Sequence, residues 1–143
     1  MSFHSTLTAS GVWPTDLVTS GVVSATTKVS DGRARPTVRS TDIQVWIQRE
    51  SSTSEGKGMH RITKHNYVLH VMGGKGTKSP TGGQVEEVEG HLETLVNRYS
   101  GALPFVATLT NIVGCSAREG SVDVFASEAF VTGTVRVTFI ERG

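Results

Sequence analysis

The sequence predicts an α+β fold: one domain with an antiparallel or mixed β-sheet, a long hairpin, and one main amphipathic helix packed on one face. Three observations carry that expectation. Apolar residues recur at every second position in "DIQVWIQRE" from Asp42, in "HNYVLHVM" from His65 and in "FVTGTVRVTFIER" from Phe130, the period of a strand with one buried face. Val85, Val88, Leu92, Leu95, Val96 and Tyr99 recur at helical spacing between the second and third of these, so they form one apolar stripe. The length, 143 residues, suits a single core.

Residues 1–40 carry little pattern. Trp13-Pro14, Gly32 and Pro36 interrupt any long element, because proline ends helices and glycine weakens them. This segment is expected to be an N-terminal arm, or to hold a short helix or strand near Asp16–Val23, with the α/β core domain over 41–143.

The first strand places Ile43, Val45 and Ile47 opposite Gln44, Trp46 and Gln48. "SSTSEGKGM" then reads as a polar, glycine-rich hairpin tip near Ser51–Gly58. In the returning strand Tyr67, Leu69 and Val71 share one face, and Val68, His70 and Met72 the other. The helix follows, with Glu86, Glu87 and Glu89 in its first turns and Arg98 near its end, both favourable to the helix dipole. Gly101 and Pro104 stop it. Gly90 costs about 1 kcal/mol relative to alanine and is expected to permit close packing on the sheet. Three strands are expected afterwards, in "FVATLTNIVG", "SVDVFAS" and "FVTGTVRVTFIER".

Hydrophobic residues make up 36% of the chain, and no apolar run approaches the roughly 20 residues of a membrane span. The first residues lack the basic start and apolar segment of a secretory signal. Cys115 is the only cysteine, which rules out an internal disulfide and a cysteine-based metal cage. A soluble protein of a reducing cytoplasm is the expectation. Net charge is +1, which argues against bulk electrostatic binding of nucleic acid. The charges are nevertheless segregated: net +3 over residues 28–49, +5 over 57–78 and −3 over 84–100.

"MGGKGTKSPTGG" lies between a strand and a helix, the setting of a phosphate-binding loop. The register fails twice. Gly74-Lys75 is followed by Gly76, and Lys78-Ser79 is preceded by Thr77, whereas the motif requires Gly-Lys followed by a hydroxyl residue. Ser79–Gly83 also separates the loop from the helix N-terminus that would face a phosphate. A flexible basic connection is the expected reading.

His60, His65 and His70 do not converge, since odd spacing in a strand puts His65 on the other face. No metal site is expected. Cys115 has Arg118 nearby in "VGCSAREG", which would lower a thiol pKa, although a buried structural cysteine is the plainer expectation. The helix glutamates look solvated, and no nucleophile with a positioned base is legible. The polar face of the last strand, Thr132, Thr134, Arg136 and Thr138, reads as solvent-facing sheet or as an inter-subunit surface. An RNA-binding sheet would need paired aromatics for stacking.

From "DIQVWIQRE" to "VRVTFIERG", a basic hairpin, one acidic helix and terminal strands follow one another. In order, length and composition this resembles the tail terminator proteins of long-tailed bacteriophages, and almost as well another neck or tail-joining virion protein. The resemblance implies a structural, non-enzymatic protein without cofactors. It implies a homo-oligomeric ring, six copies in that family, which caps the tail tube and joins it to the head connector. Implied partners are the tail tube protein and the connector or stopper protein, with no membrane and no sequence-specific nucleic acid. The implied location is the virion neck, and the host cytoplasm during assembly. Pro14, Gly21, Gly32 and Pro36 leave little room for the long first helix usual there. A ring of head-to-tail copies needs unlike faces on each subunit. The residues expected at such contacts are Arg49, Glu55, Lys57, Arg61, Lys64, Lys75, Lys78, Glu86, Glu87, Glu89, Glu93 and Arg136. The alternative reading is a small anionic-ligand or nucleotide-binding domain using the Gly73–Gly83 loop.

Overall fold

The computed structural model of the chain describes residues 3–34, 36, 42–57, 61–73, 83–101, 112–125 and 130–142. Two short helices, α1 (Phe3–Leu7) and α2 (Trp13–Thr19), lead through a 3₁₀ turn (Thr26–Lys28) into strand β1 (Val29–Asp31). Then come β2 (Gln44–Glu55), β3 (Ile62–Met72), α3 (Gly83–Arg98), β4 (Ile112–Phe125) and β5 (Phe130–Arg142). The five strands form one mixed sheet in the order β1-β2-β3-β5-β4. β1 runs parallel to β2 and the remaining pairs are antiparallel.

The helices lie on one face of this sheet. Val88, Leu92 and Leu95 of α3, with Tyr99 just after its end, pack in one buried cluster with Val131, Val135, Val137 and Phe139 of β5, so the helical stripe read from the sequence is the packing face. The close approach comes from the sheet side. A Cβ built on Gly133 would lie 2.7 Å from Val88 Cγ1 and 2.8 Å from Leu92 Cδ1. Gly90, expected to serve this purpose, is exposed with nothing near its Cβ position; a helix meets a sheet only along its apolar stripe, and Gly90 is off it.

The first thirty-odd residues are not an extended arm. Leu7, Trp13, Leu17, Val22 and Val23 are buried in the same core. Trp13 is fully buried and meets Tyr67, Tyr99 and Phe139 edge-on, at centroid distances of 5.3, 6.0 and 5.0 Å, the geometry aromatic quadrupoles favour. Pro14 sits in the first turn of α2, where its missing N–H is no loss. Gly21, at φ 86°, takes the left-handed conformation that ends a helix. Two helices of five and seven residues are too short to show a helical period, which is why the sequence reads as unpatterned there.

One polar network joins α2 to α3. Arg98 donates to Asp16 through Nε (2.9 Å to Oδ2) and Nη2 (2.5 Å to Oδ1). The Tyr99 hydroxyl donates to Asp16 Oδ2 at 2.7 Å and accepts from Trp13 Nε1 at 3.0 Å. Asp16 is 4% exposed, a burial that only such complete pairing makes tolerable. Burial above all, then the Asp16 charge, pushes the Tyr99 phenol well above its usual value. The hydrogen bond to Asp16 raises the Arg98 guanidinium further above its own.

Two strand boundaries differ from expectation. β2 continues through Ser51–Glu55, paired with Ile62–Asn66 after a bulge between Arg49 and Ser51. The supposed loop is strand because the backbone ladder, not apolar burial, holds these exposed residues in line. In the same way "GCSAREG" belongs to one long β4, irregular at Glu119/Val122, rather than to a break between two strands. Of the strand expected over 105–114, Ile112–Gly114 open β4 and residues 105–111 lie outside the described residues.

Candidate functional site: two oppositely charged surfaces

The sheet face away from the helices carries its own side-chain rows, fixed by register. One row reads Gln48–Val68–Arg136–Arg118 across β2, β3, β5 and β4, and the next Ser51–Asn66–Thr138–Ser116. Beyond it lies Thr53–Lys64–Ile140–Gly114. The middle row is internally bonded: Thr138 Oγ1 donates to Asn66 Oδ1 (2.8 Å), and Asn66 Nδ2 donates to Ser51 Oγ (3.1 Å). A shallow trough of about 480 Å³ runs over this region, lined among others by Glu50, Lys64, Asn66, Arg118, Arg136 and Thr138.

Electrostatically the trough is lopsided. Arg118 and Arg136 are direct cross-strand partners, and like charges so placed repel. Arg136 is bridged by Glu50, a pair with both side chains about half exposed and therefore worth at most about 1 kcal/mol. Arg118 and Lys64 have no carboxylate partner among the described residues.

The opposite charge gathers on the other side of the molecule. Glu86, Glu89 and Glu93 are exposed along α3, at spacings that align them on one face. With Glu119 of β4 they line a second open depression, of about 450 Å³. None of these four has a cationic partner among the described residues. Glu87 does not join them. It is half-buried on the other flank of α3, in a depression with Asp42 and His91.

The remaining expected contact residues scatter. Glu55 and Lys57 are exposed at the end of the hairpin, and Arg61 donates to Ser54 Oγ at 3.3 Å. Arg49 lies at the edge of the helix-covered side, in a cleft of about 580 Å³ with His4, Arg33 and Ser52. Lys75 and Lys78, with nearly all of the Gly73–Gly83 loop, lie outside the described residues. Structure therefore unites Lys64 with Arg136, and Glu86 with Glu89 and Glu93. It adds Arg118 and Glu119, which alternation along β4 would have revealed had that stretch been read as strand.

A third arrangement was not legible at all. His65, 6% exposed, is held between Ser52 (Oγ to Nδ1, 3.0 Å) and Glu141 (Oε1 to Nε2, 3.0 Å). Phe3 stacks on its ring at 3.8 Å and 9°. Arg49 Nη2 donates to Ser52 Oγ at 3.0 Å, so in the neutral ring the hydroxyl proton points to Nδ1 and Nε2–H donates to Glu141. Hydroxyl, imidazole and carboxylate in this order match a nucleophilic triad, in which the imidazole takes the hydroxyl proton and the carboxylate holds the ring. Such a triad also needs donors aimed at an oxyanion; the Arg49 Nη2 beside Ser52 is aimed at the hydroxyl itself. The arrangement works as a tie between β2, β3, β5 and α1.

Cys115 faces the core, and its burial pushes the thiol up from its ordinary value. Arg118 does not activate it: three residues along a strand, it projects from the opposite face. No group of three histidine, cysteine or acidic side chains suited to a metal ion occurs among the described residues. None of the described helices is long and apolar enough to cross a membrane. No protein-family model matches the chain, and no curated protein matches it either.

Proposed function

We propose that this chain is a structural virion protein that assembles head to tail into a ring at a phage head–tail junction, capping the tail tube and docking to the head connector. One observation carries the reading: a basic trough on the open sheet face and an acidic strip on the α3 side sit on opposite surfaces of one subunit. Unlike faces are what a heterologous, closing contact requires. The resemblance of the hairpin, helix and terminal strands to tail terminators supplies the setting. It also names the partners, tail tube and connector protein, and gives the virion neck as the location. Chemistry is not part of this role, nor is a cofactor.

The test is electron microscopy of the purified chain, alone and after incubation with isolated tail tubes. Rings, or density capping one tube end, are the expected result. A chain that stays monomeric and fails to bind tubes would overturn the reading.

A further inference from the structure

A head-to-tail assembly requires unlike faces on each subunit. From the charge distribution we infer that the occupant of the basic trough is a second copy of this chain, presented through its acidic α3 strip. The inference rests on the assembly reading and names its contact.

Charge is the first argument. Lys64 and Arg118 have no carboxylate partner among the described residues, and Arg118 stands directly across from Arg136. Three cations with one internal acid, Glu50, leave the trough positive. Glu86, Glu89, Glu93 and Glu119 likewise have no cationic partner among the described residues. A copy seated on the trough would relieve both repulsions at once, whereas two like faces meeting would add to them.

Dimensions agree. Glu86 to Glu93 spans about 10 Å of helix. Lys64 stands across from Ile140, four residues along β5 from Arg136, which is about 13 Å of strand. The acidic strip and the trough are therefore similar in length. Between the cations lies the Ser51–Asn66–Thr138 row of small polar groups, able to bond to a partner's side chains without a large desolvation cost.

Position is the third argument. Arg118 and Glu119 are consecutive in β4 and so belong to the two different surfaces. The surfaces lie back to back through the sheet. A contact between them is heterologous, and repeated copies propagate in one direction, closing into a ring when the rotation allows.

Reciprocal charge reversal tests this. One variant carries Glu89→Lys with Glu93→Lys, the other Lys64→Glu with Arg118→Glu; all four side chains are exposed or half-exposed, so each variant should keep its fold, checked by circular dichroism and melting. Analytical ultracentrifugation is expected to show each variant alone weakened in self-association by at least tenfold. The equimolar mixture, and the chain bearing all four changes, are expected to recover it. Wild-type assembly undisturbed by either variant would place the contact elsewhere and leave the assembly reading standing. Loss in folded variants without recovery on mixing would overturn the direct pairing. A wild type with no self-association, on or off tail tubes, would end both.

Discussion

Arg118 and Glu119 are neighbours in the chain and lie on opposite sides of the sheet, Arg118 across from Arg136 on the open face and Glu119 beside the glutamates of α3. The polarity of the subunit thus crosses the sheet at β4, its edge strand. Consecutive residues of a strand point to opposite faces, so this one pair puts a cation on the open face and an anion on the helix side without any segregation in the sequence.

Asp16 is the most buried carboxylate among the described residues and accepts three hydrogen bonds, two from Arg98 and one from Tyr99. Asp16→Ala leaves the Tyr99 hydroxyl and the Arg98 fork without their acceptor. A loss of about 2–4 kcal/mol is expected from stranding buried polar groups, read by urea denaturation. Arg98 is a quarter exposed, so water tempers its share. A change below about 0.5 kcal/mol would mean that the network does not hold α2 to α3.

The chain has two tyrosines, Tyr67 and Tyr99, and both are buried. Burial, partly offset by Arg49, pushes Tyr67 up to about 12, and Tyr99 is raised in the same direction. Folding therefore favours the neutral phenols. That stability is fully present below the unfolded value near 10 and is lost as pH rises from about 10 toward 12. Phenolate absorbance should stay low through pH 10 and then appear together with unfolding. Tyrosinate forming near pH 10 in a folded chain would contradict the burial.

Much of this fold is legible from periodicity alone. The stripe of α3 and the alternation in β2, β3 and β5 each report a face that burial fixes. What stayed hidden has physical causes. α1 and α2 span five and seven residues, one to two turns and too few to repeat an apolar pattern, and their burial depends on single large residues such as Trp13. Ser51–Glu55 and Arg118–Ser121 are strand by backbone pairing with solvent on most sides, so composition says loop. The acid of the strip was visible as −3 on a helix, but its partner surface was not. Lys64, Arg118 and Arg136 come from three strands, and only register brings them together.

At Gly133 the side chains of α3 come closest to the sheet backbone. Gly133→Ala puts a methyl within 2.8 Å of both Val88 and Leu92, closer than packed carbons approach. Overpacking of this kind costs about 1–3 kcal/mol, against a small gain for alanine over glycine in a strand. Thermal melts of this variant should fall, while Gly90→Ala, facing open space in a helix, should rise slightly. The reverse ordering would reject the packing described for α3.

His65 ties three strands and α1. His65→Ala, which removes its two hydrogen bonds and the Phe3 stack, should destabilise by about 2–3 kcal/mol. Ser52, with its hydroxyl committed between Arg49 and His65, should remain unlabelled by a fluorophosphonate probe, as judged by intact mass. A covalent adduct at Ser52 would assign it a nucleophilic role instead.

The central claim is that unlike charged surfaces drive copies of this chain together, and the salt dependence of its mass tests it most directly. Screening shortens from about 10 Å at 0.1 M salt to about 3 Å at 1 M. Sedimentation velocity of the wild type should show assemblies well above the 15.3 kDa of one chain at low salt, dissociating toward monomer at 1 M. A 15.3 kDa species at every salt and protein concentration would contradict the account.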